Sequence, residues 1–233
     1  MEISKGIEMI GKALWLPKQK VLIIADLHVG YEEALNKQGI LIPRQQFSVM
    51  KEEIEGLIEA TTPKVIVVNG DLKHEFGGIS RQEWQDTSKI LDLMLKKSKV
   101  LLIKGNHDKI LEPIARKKGL GIKDYACFGP VCIIHGDKIR IEKEVNDAKM
   151  LIIGHEHPAI SLHEGTKSEV YKCFLSGKWK NKKIIAAPSF MPSVEGSNIR
   201  NEKPLSPYLA DIRNFEIFIL GDRIYKFGKL KDL

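Results

Sequence analysis

The first half of the chain alternates short apolar runs with longer amphipathic segments. Three apolar runs are bounded by polar or turn-forming residues, which is typical of buried strands. They are Val21–Ala25, Lys64–Val68 and Lys99–Ile103. The segments between or after them have apolar positions at helical spacing and predict helices over Tyr31–Gln38, Arg44–Ala60 and Ser80–Lys97. A hairpin of Gly6–Ile10 and Ala13–Leu16 comes first. Strand and helix alternating in this way predict parallel strands joined by right-handed crossovers, which is an α/β fold.

From Tyr125 onward the pattern is dominated by strands. Short apolar or alternating runs are separated by turn residues, and several neighbouring runs are spaced as hairpins. The predicted strands are Tyr125–Phe128, Val131–Ile134, Met150–Ile153, Val170–Leu175, Lys182–Ala187, Phe215–Leu220 and Arg223–Phe227. The segment Pro188–Pro207 is rich in Pro, Ser and Asn and predicts a surface loop, which leaves open whether it borders a functional site. We expect residues 1–233 to form a single domain.

Composition excludes several classes of protein. The chain has 233 residues, of which 43% are hydrophobic, so it can bury a core without disulfides or structural metals. No apolar run approaches the roughly 20 residues that a membrane-spanning helix needs. The N-terminus carries an acidic residue early and does not look like a signal peptide, which favours a cytoplasmic location.

The charge balance is basic, with a formal net charge of +7, and 30 of the 37 basic residues are lysine. Such a surplus fits either an ordinary charged surface or a nucleic-acid partner, because lysine neutralises phosphates without reading sequence. Residues Lys178–Lys183 place Trp179 among four lysines at a predicted hairpin tip. That tip fits either base stacking beside phosphate contacts or a solvated turn whose Trp packs underneath.

The three cysteines are Cys127, Cys132 and Cys173, an odd and sparse set without C-x-x-C spacing. We therefore expect reduced, apolar residues rather than a disulfide framework or a zinc site. Cys127 and Cys132 flank a Gly-Pro turn and could face each other, so a disulfide between these two is the alternative.

Polar side chains with metal-binding chemistry follow the ends of the predicted strands. They are Asp26 and His28, Asp71, Asn106 and His107, His135, and His155 and His157. The carboxyl edge of an open α/β sheet is where ligands bind, so these side chains are expected to converge there. In extended chain, residues two apart share a face, which would direct both Asp26 and His28 toward one cluster.

So many carboxylate, amide and imidazole groups exceed the needs of one ion and favour two divalent ions about 3.5–4 Å apart, bridged by a carboxylate. We assign Asp26, His28, Asp71 and His157 to the first ion, and Asp71, Asn106, His135 and His155 to the second, with a hydroxide completing the bridge. Each histidine alone would be interpreted as a surface or core residue, and only their joint placement favours a site. An imidazole-rich shell suits manganese better than magnesium, with iron, cobalt, nickel and zinc as alternatives.

Together these motifs resemble the signature of the calcineurin-like metallophosphoesterases. The residues that carry the resemblance are Asp26-x-His28, Gly70-Asp71, Gly105-Asn106-His107-Asp108, His135 and Gly154-His155-x-His157. The resemblance implies two packed mixed β-sheets flanked by helices, in a four-layer α/β/β/α sandwich. The compact size and the form of the second motif, Gly70–Glu75, look like the SbcD-related archaeal phosphoesterases, a group with bacterial relatives linked to DNA repair.

The resemblance also implies a mechanism, in which a metal-bridging hydroxide attacks phosphorus in line and His107 protonates or stabilises the leaving oxygen. Many relatives have an acid three residues after the bridging aspartate, but here that position is His74. His74 is therefore a catalytic partner of His107, a phosphate contact or an ordinary loop residue. Lys73 is a weaker candidate for substrate phosphate binding. Asp108 either bonds a neighbouring ligand or caps a helix that begins near Lys109.

Three functions are compatible with these residues. The first is a two-metal phosphodiesterase that acts on DNA, a nuclease. The second is an enzyme for small phosphoesters, such as a nucleotide phosphatase or a cyclic-nucleotide phosphodiesterase. The third is a non-catalytic binding scaffold, like the retromer subunit of the same fold, although His107 beside a full ligand set argues against it. We expect DNA or a small phosphoester as the partner and no membrane partner, and protein partners do not follow from the sequence.

Overall fold

The protein consists of two mixed β-sheets that pack face to face between helices, in a computed structural model that describes residues 1–40, 42, 45–165, 167–194 and 196–232. The first sheet has seven strands in chain order. They are β1 (Glu2–Ser4), β2 (Ile7–Ile10), β3 (Ala13–Leu16), β4 (Val21–Ala25), β5 (Val65–Asn69), β6 (Lys99–Ile103) and β7 (Ile122–Lys123). Strands β1 to β4 pair antiparallel, whereas β4 to β7 pair in parallel.

Helices connect the parallel strands and cover the outer face of the first sheet. They are α1 (Tyr31–Lys37), α2 (Gln46–Thr61), α3 (Arg81–Leu95) and α4 (Glu112–Lys117), with a 3-10 turn at Asp108–Ile110 before α4. Helix α2 buries Met50, Ile54 and Ile58, which recur at helical spacing and pack on the sheet. Among the described residues, no helix combines the length and apolar character needed to cross a membrane.

The second sheet is built from the remaining strands. They are β8 (Tyr125–Phe128), β9 (Val131–Ile134), β10 (Met150–Ile153), β11 (Pro158–Glu164), β12 (Lys167–Trp179), β13 (Lys182–Ala186), β14 (Ser197–Asn198), β15 (Glu216–Leu220) and β16 (Ile224–Lys229). The order is β14-β11-β12-β13-β10-β9-β8, with β15 and β16 attached to β12. Helix α5 (Lys143–Asp147) and the 3-10 turns Pro207–Leu209 and Leu230–Asp232 complete the described elements, and Val145 and Tyr208 cover the outer face of this sheet.

The core between the two sheets explains why the central strands are apolar throughout. Ile23 and Val67 of the first sheet pack against Ile133 and Ile152 of the second. The alternate residues, such as Ile24, face the helices instead. Because both faces are covered, these strands appear in the sequence as continuous apolar runs rather than as alternating ones. The expected fold, two mixed sheets flanked by helices, is confirmed.

Most predicted elements are present at or near their predicted bounds. Strands β4 and β6 have the predicted limits, and β5 begins one residue later than predicted. The predicted start of the second helix at Arg44 lies outside the described residues, and α2 begins at Gln46. Strands β1, β7, β11 and β14 were not predicted, because they are short or lack apolar runs.

The prediction of a surface loop over Pro188–Pro207 is wrong for the first part of that segment. Phe190 and Met191 are buried among the helix-side core residues. The Ser189 hydroxyl donates a hydrogen bond of 2.9 Å to the Asp26 carbonyl, and Phe190 N–H donates to the carbonyl of Ala25. The segment therefore passes under the end of β4 and is part of the support of the site.

Two further expectations are corrected by local contacts. Cys127 and Cys132, expected to be reduced, form a disulfide because they occupy directly paired positions of β8 and β9, with Cα atoms 4.1 Å apart. Cys173 is a buried free thiol. The Trp179 ring lies 4.7 Å from the ring of Tyr208, which fits the packed-ring alternative rather than base stacking.

Candidate metal centre

The motif residues lie at the carboxyl ends of strands from both sheets. Asp26 follows β4 and Asp71 follows β5, while His135 follows β9 and His155 follows β10. Since β4 is parallel to β5 and β9 is parallel to β10, each pair of ends meets at one edge. The two edges adjoin, because the His135 ring lies between Asp26 and Asp71. The structure therefore brings the candidate ligands of the two halves of the chain together.

The backbone at this edge is left-handed rather than extended. Eight non-glycine residues among those described have positive φ, and five of them are candidate ligands. The five are Asp26 (53°), His28 (43°), Asp71 (43°), His155 (65°) and His157 (48°). Such residues are uncommon and cluster at functional sites. The expectation that alternation in extended chain aligns each Asp-x-His or His-x-His pair is therefore wrong, because tight left-handed turns beyond the strand ends direct the side chains inward.

The first group of candidate donors consists of Asp26, His28 and His157, whose donor atoms all lie within 4.8 Å of one another. The Nε2 atoms of His28 and His157 are 3.2 Å apart, and His157 Nε2 lies 3.6 Å from Asp26 Oδ1. Two imidazole nitrogens and a carboxylate oxygen thus face one point, as the ligands of a single ion do.

The second group consists of Asp71, His135 and His155, again within 4.8 Å. His135 Nε2 lies 3.4 Å from Asp71 Oδ2 and 2.9 Å from Asn106 Oδ1. Asp71 Oδ2 is also 3.9 Å from His28 Nε2 of the first group. Asp71 therefore lies between the two groups, at the position that a bridging carboxylate would need.

Unsatisfied buried atoms indicate that these residues fit divalent ions. Asp26 Oδ1, His28 Nδ1 and His135 Nδ1 are buried without a hydrogen-bond partner among the described residues. A buried carboxylate oxygen without a partner is unfavourable unless a cation compensates it. The mixed nitrogen and oxygen set is that of first-row divalent metals.

Burial and charge shift the pKa values of the candidate ligands. Burial, aided by His157, lowers the pKa of His28 well below its ordinary value, and burial also lowers the pKa of His155. Both are thus neutral, the form that binds metal. For His135, burial would lower the pKa, but Asp71 and Asp26 outweigh it and raise the pKa to about 9. Without metal, His135 thus carries a proton at neutral pH, and binding must displace it.

Two glycines leave the space that the carboxylates occupy. A Cβ atom on Gly154 would lie 2.5 Å from Asp26 Oδ2, and one on Gly105 would clash still more closely with Asp71 Oδ1. Real Cβ atoms do not approach other atoms within 3.0 Å. The glycines of these motifs are therefore required by close approach.

Asp108 links two loops of the centre and does not cap a helix. Its Oδ1 accepts the N–H of Leu72 at 3.1 Å, and its Oδ2 accepts the N–H of Gly105 at 2.9 Å. The carboxylate thereby connects the loop after β5 with the loop after β6, and so fixes Asp71 relative to Asn106.

His107 lies at the edge of the two groups, partly exposed. Its Nε2 is 3.9 Å from Asp71 Oδ2, and its Nδ1–H donates to the His74 carbonyl. The His74 ring lies 5.4 Å from the His107 ring, and its donor atoms form a third close group with those of His28 and His107. Burial and the neighbouring His107 lower the pKa of His74 to about 4. The catalytic roles of His107 and His74 stay predictions.

The placement of Lys73 does not fit the expected contact with substrate phosphate. The residue is fully buried, and its ammonium group donates to the carbonyl of Glu75 in the next turn of the loop. The physical reason is that the chain after Asp71 turns inward beside helix α3, which encloses the side chain. Lys73 is thus a structural residue of the loop.

Two residues of this region were missed in the sequence. Glu83 is buried beside the loop after β5, and Phe76 covers the ring of His107 with centroids 3.6 Å apart. The pattern Ser80-x-x-Glu83 before a helix is that of a capping box, in which the glutamate would bond the start of its own helix. No local signal reveals that this carboxylate turns to another loop instead.

Comparison with known proteins agrees with this geometry. A sequence model of the family described as calcineurin-like phosphoesterase matches residues 19–141, just over half of the chain. The match includes Asp26, Asp71, Asn106 and His135 but ends before His155. No curated protein matches the chain.

Solved structures share the fold at low sequence identity. A nuclease MPE from Pseudomonas putida is 18% identical with a TM-score of 0.66, and the alignment covers 93% of this chain and 92% of that chain. The phosphoesterase Yfce from E. coli is 13% identical with a TM-score of 0.41, covering 91% and 93%. Vps29 from Entamoeba histolytica, in complex with zinc, is 16% identical with a TM-score of 0.37, covering 89% and 97%. The family match, together with this metal-binding geometry, shows that the chain belongs to the calcineurin-like phosphoesterase family of metal-dependent hydrolases.

Proposed function

We propose that the protein is a two-metal phosphodiesterase that cleaves DNA. The observation that carries the proposal is the pair of donor groups that share Asp71, with His107 beside them. One ion would be held by Asp26, His28, His157 and Asp71, and the other by Asp71, Asn106, His135 and His155. Two divalent ions so placed supply a nucleophile from water at neutral pH and neutralise charge on the reacting phosphate.

The chain itself contributes orientation and proton transfer. The His107 Nδ1–H is engaged by the His74 carbonyl, so Nε2 faces the centre and can hold a proton for the leaving oxygen. General acid catalysis of this kind contributes about 100-fold to 10,000-fold in rate. We propose that His107 has this role and that the ring of His74 lines the same edge.

An exposed aromatic ring beside His107 supports a nucleic-acid substrate. Phe76 is half exposed, and its ring covers His107 at the edge of the site. The ammonium of Lys109 lies 6.0 Å from the Phe76 ring centroid, and Lys104 is exposed nearby in the chain. An aromatic face beside lysines suits a base together with its backbone phosphates. The net charge of +7 and the Pseudomonas putida protein, a nuclease, are consistent with this substrate class.

Finer assignments belong to the same proposal. Manganese is the proposed metal, because the donors combine several imidazoles with carboxylate and amide oxygens. Kinship with the SbcD-related phosphoesterases, and with it a role in DNA repair, is supported by the Gly70–Glu75 form of the second motif.

The test is hydrolysis with manganese of four substrates: bis-p-nitrophenyl phosphate, p-nitrophenyl phosphate, single-stranded DNA and double-stranded DNA. Asp71→Asn is the inactive comparison, and Glu112→Gln, which changes an exposed carboxylate paired with Arg116, is the matched control. The proposal predicts cleavage of the diester and of DNA by the wild type and the control.

The other results would each contradict the proposal. Cleavage of the small diester or the monoester without DNA cleavage would favour an enzyme for small phosphoesters. Inactivity on all four substrates, with metal bound, would favour a binding scaffold.

A further inference from the structure

A buried carboxylate beside the centre, Glu83, contacts neither the candidate ligands nor the open edge where substrate would bind. It lies in the first turn of α3 and is fully buried. Its Oε1 accepts the backbone N–H groups of His74 and Glu75, each at 2.9 Å. The His74 N–H is shared with the carbonyl of Val29 at 3.0 Å. The contact with Glu75 is therefore the one that depends most on Glu83.

The Glu75 N–H and the His74 carbonyl belong to the same peptide group. A trans peptide is planar, and its N–H and C=O point in opposite directions. The His74 carbonyl accepts the Nδ1–H of His107 on the far side of this plane. By fixing the N–H, the Glu83 carboxylate also fixes the carbonyl, and through it the ring of His107.

Neighbouring groups hold this arrangement in place. The Lys73 ammonium donates to the Glu75 carbonyl, which restrains the next peptide group. A Cβ on Gly30 would lie 2.9 Å from Glu83 Cγ, so the glycine provides the space in which the carboxylate lies. Ser80 Oγ accepts the N–H of Glu83 at 3.0 Å and fixes the start of α3.

We propose that Glu83 is a positioning residue for His107. It holds the His74–Glu75 peptide so that His107 keeps the tautomer with its proton on Nδ1 and presents Nε2 to the leaving oxygen. This inference rests on the proposed function of His107 as proton donor. It assigns to a glutamate of α3, acting through backbone, the orienting task for which His74 lacks an acidic side chain.

The first test measures the tautomer of His107 directly in metal-free protein. Histidine labelled with nitrogen-15 and long-range proton–nitrogen NMR distinguish a proton on Nδ1 from one on Nε2. Wild type and Glu83→Gln, whose amide oxygen can still accept both N–H groups, should show the Nδ1–H tautomer. Glu83→Ala should show a mixture. An unchanged tautomer in Glu83→Ala would overturn the proposal.

The second test uses two diesters that differ in their need for an acid. The leaving group of bis-p-nitrophenyl phosphate departs without protonation, whereas that of diphenyl phosphate is more basic. Since misplacing a catalytic group by about 1 Å can lower the rate about 100-fold, Glu83→Ala should lower kcat on diphenyl phosphate by about tenfold to 100-fold. On the nitrophenyl diester the loss should stay under about threefold. Glu83→Gln should stay near the wild type on both.

A matched control separates positioning from stability. Glu32 is also buried and accepts a backbone N–H, that of Gln46 at 2.9 Å, on the other side of Gly30. Glu32→Ala should leave the ratio of the two rates unchanged. Equal losses on both diesters in Glu83→Ala would indicate a structural role and overturn the inference. A wild type inactive on both diesters contradicts the proposed function instead, while the NMR result still decides the role of Glu83.

Discussion

Replacing Gly154 by alanine perturbs the centre by a displacement that the structure defines. The added Cβ would lie 2.5 Å from Asp26 Oδ2, whereas ordinary van der Waals contact begins at 3.4 Å. Asp26 or the loop that carries His155 must therefore move by about 0.9 Å. Asp26 Oδ2 also accepts the His155 N–H at 3.0 Å, so the movement disturbs candidate ligands of both ions.

The expected consequence is weaker metal binding and slower turnover. Changes that disturb the support of a ligand lower metal affinity by about tenfold to 100-fold. A misplacement near 1 Å lowers the rate about 100-fold. We expect Gly154→Ala to show both losses, by isothermal titration with manganese and by kcat/KM on bis-p-nitrophenyl phosphate.

The matched control is Gly121→Ala, because a Cβ at Gly121 meets no atom within 4 Å and its φ is not positive. It should bind manganese and turn over as the wild type does. Thermal unfolding of both variants shows whether they are folded. A folded Gly154→Ala protein with wild-type manganese affinity and rate would refute the steric reasoning.

Three further predictions follow from the same contacts. Asp71→Asn should weaken both ions, whereas His107→Asn should keep the metal content and lower turnover, as metal analysis and kinetics will show; loss of metal from His107→Asn would contradict its assignment. The His135 pKa of about 9 predicts that manganese affinity rises with pH between 7 and 9, because the ion displaces that proton, and titration in buffers of different ionisation enthalpy should detect about one released proton; a pH-independent affinity would contradict it. Phe76→Leu should raise KM for single-stranded DNA about tenfold if the ring stacks a base, with little change on the nitrophenyl diester; equal effects on both substrates would exclude stacking.

The strands that build the site could be predicted because both of their faces are buried. Val21–Ala25 and Lys99–Ile103 are continuous apolar runs with clear polar ends, and the structure gives them the same limits. Strand β11, Pro158–Glu164, mixes apolar residues with Ser, His and Glu and pairs at the periphery of the second sheet, so its sequence carries a weaker signal.

The composition of the candidate centre was also accessible from sequence, but its geometry was not. Residue types at successive strand ends indicated which side chains converge, whereas the left-handed turns at Asp26 and His28 depend on contacts across the molecule. The same holds for Lys73, which the fold encloses, and for Glu83, whose partner loop lies several residues away. Long-range packing decides such cases, and local patterns do not report it.

Several expectations stay predictions: a single domain over residues 1–233, a cytoplasmic location, and DNA as the partner. The roles of Asp26, Asp71, Asn106 and the histidines as ligands are also still to be tested with metal present.

Anomalous diffraction from crystals grown with manganese tests the central claim most directly. The account predicts two peaks about 3.5–4 Å apart. One should lie within bonding distance of Asp26, His28 and His157, the other of Asn106, His135 and His155, with Asp71 in contact with both. A single peak, or peaks that do not share Asp71, would contradict the account.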